Sequence, residues 1–199
     1  MKKILSIIAL SLLGTSSFGQ AVEEGNVIID AYYGFPNLYT SVFKATYANS
    51  GTEIGLKIGG LGPLGGRVEY MLADKIGLGV DVGLNSSFVR YQEESGSETY
   101  DYDFLTSKFG VMATFNWHFV ESSDNLDAYA MFGAGYGNRS FTFTSTDPDY
   151  IESSIESLIP VAMRIGAGMR YFFTDNIGVN LALGFGQGGL VNAGISAKF

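Results

Sequence analysis

His118 is the only histidine in the chain, and there is no cysteine. Any Ser-His-Asp relay or imidazole–zinc chemistry would have to run through that one ring, and thiolate nucleophiles, thiolate metal sites and disulfides are excluded. His118 shares a parity with Thr114 and Asn116 and is followed by Phe119 and Val120, which supply no nucleophile. It is expected to fill an interior and hold a hydrogen bond. The run Gly60-Leu61-Gly62-Pro63-Leu64-Gly65 matches G-x-G-x-x-G, but no βαβ unit follows and Pro63 lies inside it. It reads as a bent or bulged strand segment rather than a phosphate cradle. Glu93-Glu94 and Asp147-Pro148-Asp149 offer oxygen ligands without EF-hand spacing and read as solvated surface. No catalytic residue, cofactor site or metal site is assigned.

The remaining chemistry lies in charges embedded in alternating runs: Asp30, Arg67, Glu69, Asp81, Lys108, Asp127, Arg164, Arg170 and Lys198. They share their parity with glycines and are nearly balanced in sign. The acidic excess lies elsewhere, in Glu93, Glu94, Glu98, Asp101 and Asp103, then Asp147, Asp149, Glu152 and Glu156. Balanced charges on one strand face predict an interior ion-pair network, because a buried charge must be paired. Counted along the strands, Asp30, Arg67, Asp81 and Arg164 fall near mid-depth. Glu69, Asp127, Arg170 and Lys198 fall near one mouth. Two ion-pair layers are predicted.

The elements that position these charges are strands. Val191, Ala193, Ile195, Ala197 and Phe199 fall on one parity, and Asn192, Gly194, Ser196 and Lys198 on the other. A side-chain period of two marks a strand with one apolar and one polar face. The same alternation recurs over residues 27–35, 64–72, 76–85, 105–119, 127–137, 161–173 and 177–186. The parity of the second of these extends back through Ile58, Leu56 and Ile54, which predicts one strand projecting past Pro63. Short connections at 73–75, 120–125 and 174–176 alternate with long ones at 36–53, 86–103 and 138–158. The last connection, around Gln187-Gly188-Gly189, is tight. The expected fold is all-β: an eight-stranded antiparallel up-and-down transmembrane β-barrel.

Which face points inward separates a membrane barrel from a soluble lipocalin-like barrel or sandwich. Here one face is uniformly apolar, and the other is glycine, polar or charged. An Arg or Lys facing lipid at the bilayer midplane costs ~2–4 kcal/mol, so the charged face must line the interior. Tyr70, Trp117, Phe119, Tyr171, Phe173 and Phe199 gather at the turn-side ends, and Tyr33, Phe35, Tyr136 and Phe185 at the loop-side ends. These form two girdles around an aliphatic band.

At the N-terminus, Lys2-Lys3, the apolar run Ile4–Leu13 and Ser17-Phe18-Gly19 follow the order of a secretory signal peptide. Residues 1–19 are expected to be removed, leaving the barrel domain over 20–199. Without Lys2 and Lys3, 10 basic residues (12 less two) face 20 acidic ones. That balance argues against nucleic acid as a partner.

The chain resembles the small outer-membrane β-barrels of OmpA/OmpX type in their single-domain form, on three patterns: the alternation, the girdles, and the ending Val191-x-Ala193-x-Ile195-x-Ala197-x-Phe199. The resemblance implies the outer membrane of a Gram-negative bacterium, reached by the general secretion route. Within the family that ending is similar to the signal read by the barrel-assembly machinery. With Phe199 as its last residue, the chain is expected to lack the cell-wall-binding domain of full-length OmpA. The function expected is non-enzymatic and without cofactor: a barrel with an ion-paired interior whose loops contact outer-membrane lipid, lipopolysaccharide or a surface partner. The alternatives are a narrow porin-like channel for small solutes and, third, a lipid-modifying enzyme.

Overall fold

The computed structural model describes residues 20–47, 53–120 and 123–199, so residues 1–19, the expected signal peptide, lie outside the described residues. The strands are β1 (Val27–Phe35), β2 (Ile54–Gly59), β3 (Leu64–Ala73), β4 (Ile76–Ser95), β5 (Glu98–His118), β6 (Leu126–Ser145), β7 (Ser153–Glu156), β8 (Val161–Phe172), β9 (Ile177–Gly186) and β10 (Val191–Lys198). A helix, α1 (Leu38–Tyr47), follows β1. Strands β1, β3, β4, β5, β6, β8, β9 and β10 pair antiparallel in chain order, and β1 closes on β10 with Ile28 opposite Lys198 and Phe35 opposite Val191. Phe199 extends the seam: its N–H donates to Val27 O and its carbonyl accepts from Val27 N–H, both at 2.9 Å. The barrel is eight-stranded and closed, as expected, so all of its strands are hydrogen-bonded on both sides.

The two faces are inverted relative to a soluble protein. Val68 and Val80 are each 50% exposed, whereas Arg170, Glu69 and Asp127 are fully buried. Every aromatic of both girdles is exposed. Only a surrounding apolar medium stabilises that arrangement, and a closed barrel is a form in which strands can enter it, since every backbone group is paired.

Three expectations about loops are corrected. Segment 86–103 is not a loop: β4 and β5 pair without a break from Ile76↔Trp117 to Ser95↔Glu98 and turn at Gly96, where φ is +67°. Segment 138–158 contains the far half of β6 and the short β7 paired to it. Segment 36–53 contains α1. Residues 54–58 do not extend β3 either: β2 pairs with the outer part of β4, Ile58 opposite Val89, and the chain breaks at 60–63.

The cause is a swap of polarity between faces. Within the barrel Leu84, Phe109 and Tyr136 point outward; a few residues further along the same strands the outward positions are Arg90, Gln92, Asp101, Asp103, Thr142 and Thr144. The inward positions become Val89, Tyr91, Tyr102, Phe104, Phe141 and Phe143. Beyond the lipid belt the sheet meets water, and the usual apolar-in pattern returns.

Helix α1 covers that inward face. Asn37 caps it, with Oδ1 accepting from Thr40 N–H at 3.4 Å and from Ser87 Oγ–H at 2.8 Å. Tyr39, Phe43 and Tyr47 repeat every four residues and so share one helix face. They meet Phe141, Phe104 and Tyr91 at ring-centroid distances of 6.0, 5.3 and 5.8 Å.

Candidate functional site in the barrel interior

The interior is stacked in levels. At the turn-side mouth, residues preceding β1 fold inward: Ala21 and Val22 join Ile28, Met71 and Phe172 in a buried apolar floor. Lys198 Nζ donates to the Ala21 carbonyl at 2.6 Å and lies 4.9 Å from the centre of the Phe172 ring.

Above the floor lies the charged network. The register alone places Asp30 beside Arg67, Arg67 beside Asp81, and Asp127 beside Arg170. Arg170 is its hub. Its Nε and Nη2 donate to Asp30 at 3.1 and 2.7 Å, its Nη2 also to Glu69 Oε2 at 2.6 Å, and its Nη1 to Asp127 Oδ2 at 3.0 Å. His118 bridges the same carboxylates, with Nδ1 at 2.7 Å from Asp127 Oδ1 and Nε2 at 2.9 Å from Glu69 Oε1. Both bonds are satisfied at once by the doubly protonated ring, which has two N–H donors. Arg67 lies 3.3 Å from Asp81 Oδ2 and 3.5 Å from Asp30 Oδ2.

Asp30 touches both arginines, so the structure has one continuous network in place of the two predicted layers. Six of the nine charges join it. The other three do not. Lys198 serves the floor. Arg164 donates from Nη1 to the carbonyl of Gln187, and to that of Gly189 at 3.1 Å, so it holds a turn instead of a carboxylate. Lys108 lies beyond the network at the loop-side mouth, and among the described residues no carboxylate comes within ion-pair distance of it. Parity decides which face a charge is on; depth along a tilted strand decides whom it meets.

Sequence reasoning missed Tyr129, Tyr32 and Gln187, as well as Ser196, whose Oγ–H donates to Asp30 Oδ1 at 2.6 Å. Tyr129 O–H accepts from Arg67 Nη1 at 3.1 Å, and its ring lies 4.4 Å from the Arg170 guanidinium carbon. Tyr32 O–H donates to Asp81 Oδ1 at 2.8 Å. Both stand on the charged parity, which is the signal that could have found them. Gln187 is the third. The β9–β10 turn dips into the lumen, with Gly186, Gly188 and Gly189 at φ of +113°, +88° and +81°. Only glycine takes such angles without strain. This lets Gln187 Nε2 donate to Asp81 Oδ1 at 2.9 Å and to Gly110 O at 3.3 Å.

At the water-exposed end, Tyr100 hydrogen-bonds Glu98, which pushes its pKa up to about 12, and Tyr102 is shifted upward by its bond to Asp147. The Arg90–Asp103 pair at 2.6 Å is partly exposed and adds little, of the order of 0–1 kcal/mol for such pairs.

A closed barrel with lipid-facing aliphatics, aromatic girdles and a charged, filled interior defines a small membrane-spanning β-barrel of the outer-membrane class. The chain belongs to the outer membrane protein beta-barrel domain family, whose model matches residues 6–185. Among solved structures it is similar to the N-terminal β-barrel domain of Pseudomonas aeruginosa OprF, at 17% identity over 89% of this chain and 100% of that one, with a TM-score of 0.43. It is also similar to Pseudomonas aeruginosa OprG (14% identity, 89% of this chain, 97% of that one, TM-score 0.45). A third is Yersinia pestis Ail, solved with the heparin analogue sucrose octasulfate (15%, 88%, 99%, TM-score 0.38). No curated protein matches the sequence.

Proposed function

We propose that this protein is a closed, non-enzymatic outer-membrane barrel whose working part is the platform above the membrane. The observation that carries this is the filled interior: Asp30, Arg67, Glu69, Asp81, Asp127, Arg164 and Arg170 are all no more than 3% exposed. They stand on five different strands, β1, β3, β4, β6 and β8, and fill the bore where an open pore would need water. His118 has both nitrogens held by carboxylates at 1% exposure, so it offers no face to a substrate.

The platform consists of the outer halves of β4, β5 and β6, the edge strands β2 and β7, and α1. In this proposal it faces the cell exterior and meets lipopolysaccharide or a surface partner, while the turns face the periplasm. Export follows the general secretion route, and the strand from Val191 through Ala193, Ile195 and Ala197 to Phe199 is what the barrel-assembly machinery reads.

Conductance of the purified barrel in planar bilayers tests the closed interior. No channel activity is expected under moderate voltage. Stable, reproducible channels from the wild-type protein would overturn the proposal and favour a small-solute pore.

A further inference from the structure

Lys108 and Arg139 are directly opposed in the β5–β6 register, on the inward face just above the charged network. Directly opposed residues have Cβ atoms ~4.5–5.5 Å apart, and like charges in that relation destabilise a sheet. Every other inward charge described above has an opposite charge or a carbonyl oxygen as partner. Arg139 donates to Thr106 Oγ1 at 3.2 Å and lies 4.0 Å over the Tyr39 ring, both neutral groups. Among the described residues neither cation has a carboxylate within ion-pair distance, although the chain carries 20 acidic residues. Both remain partly exposed, so a solute can reach them.

The two cations line a cavity of about 70 Å³ beneath α1, bounded also by Tyr39, Asn85, Pro63 and the inserted turn at Gln187. A water needs roughly 10–15 Å³ of such space, so there is room for an ion of a few heavy atoms. No carboxylate lines this cavity, so its two cations face only neutral groups, which suits a compact anion.

We infer that the loop-side mouth of the barrel is a binding site for a phosphate-type oxyanion, held by Lys108 and Arg139. The guanidinium fork and the ammonium supply charge-assisted hydrogen bonds. Tyr39 of α1 closes over the same guanidinium, so occupancy also ties α1 to the barrel. The site lies outside the closed network and stands whether or not the barrel conducts.

The test uses the full barrel refolded in detergent, with inorganic phosphate as probe followed by ³¹P NMR titration and thermal unfolding. Saturable binding is expected in the wild type, weakened at least about tenfold in Lys108→Met and in Arg139→Gln, as for loss of one charge-assisted bond. Without phosphate, Lys108→Met is expected to unfold at a higher temperature than wild type, because the repulsion is gone; in saturating phosphate the order reverses. A second arm adds phosphatidic acid to the micelles. Binding there alone, with the same dependence on Lys108 and Arg139, assigns the phosphate to a lipid headgroup; binding of the free ion assigns it to a soluble solute. Binding in neither arm, binding that persists in both variants, or Lys108→Met less stable than wild type without phosphate would overturn the inference.

Discussion

Replacing Arg170 with methionine tests the interior most directly. The substitution keeps an unbranched apolar stem, two atoms shorter, and removes four charge-assisted bonds, two to Asp30 and one each to Glu69 and Asp127. Asp30 retains Ser196 Oγ–H at 2.6 Å and Arg67 at 3.5 Å. Glu69 and Asp127, both fully buried, are left with His118 as their only common partner. Removing one member of a buried ion pair costs about 3–5 kcal/mol, because the remaining charge stays desolvated. The expected loss lies at the upper end, since two carboxylates are stranded together. That lowers the folding equilibrium constant by roughly several hundred- to several thousand-fold. Guanidinium unfolding in detergent micelles, followed by the fluorescence of Trp117, the only tryptophan, and by heat-modifiable gel migration, reads it. Adding Glu69→Gln to Arg170→Met should recover part of the loss, although Glu69→Gln alone destabilises. A single-variant loss below about 1 kcal/mol, or strictly additive losses in the double variant, would refute the account of a coupled network.

Further outcomes are expected at other positions. A Cβ at Gly77 would overlap Glu69 Oε1, so Gly77→Ala should displace that carboxylate from Arg170 and His118 and cost ~1–3 kcal/mol in the same unfolding assay. Phe43→Ala removes the edge contact with Phe104 that docks α1, so limited proteolysis should cut within residues 38–47 faster while the barrel keeps its heat-modifiable migration; unchanged cutting would show that the aromatics do not hold the helix. Proteolysis of intact cells should cut at the Gly96 hairpin tip or near Asp149 and spare the turns at Asp74 and Asp175; cleavage at those turns would reverse the orientation. Deleting Phe199 removes both hydrogen bonds to Val27 and should slow folding into vesicles severalfold, read by gel migration against time.

The barrel was legible because lipid and lumen enforce opposite chemistries on alternate residues for a whole strand length. That is why the inward parity of Asp30, Arg67 and Arg170 could be assigned from order alone. The platform was not legible, because Leu84 and Tyr91, seven residues apart on one strand with no visible break between them, obey opposite rules about which parity is apolar. A pattern that reverses midway along one strand reads as no pattern. Partners were also hidden: Arg164 ends on the carbonyls of Gln187 and Gly189, and Lys198 on that of Ala21, acceptors that every residue carries and no side-chain pattern announces. Gln187 sat among glycines that read as a plain turn, since nothing in Gly186-Gln187-Gly188-Gly189 says that the turn folds inward.

The polarity swap also acts as a ruler. Unbroken outward apolar residues run from Ile76 to Leu84 on β4 and from Phe109 to Trp117 on β5; Ser86 and Ser107 then interrupt the row, and after Phe88 and Leu105 it turns charged at Arg90 and Asp103. About nine residues at roughly 3.4 Å each, tilted by roughly 40°, give a hydrophobic height of roughly 20–23 Å. That is short of the ~30 Å core of an average bilayer and near the thinner outer membrane. A thicker bilayer would have to thin around this barrel or draw Ser86 and Ser107 into hydrocarbon. Membrane thickness, as well as any recognition signal, thus favours residence in the thinner membrane.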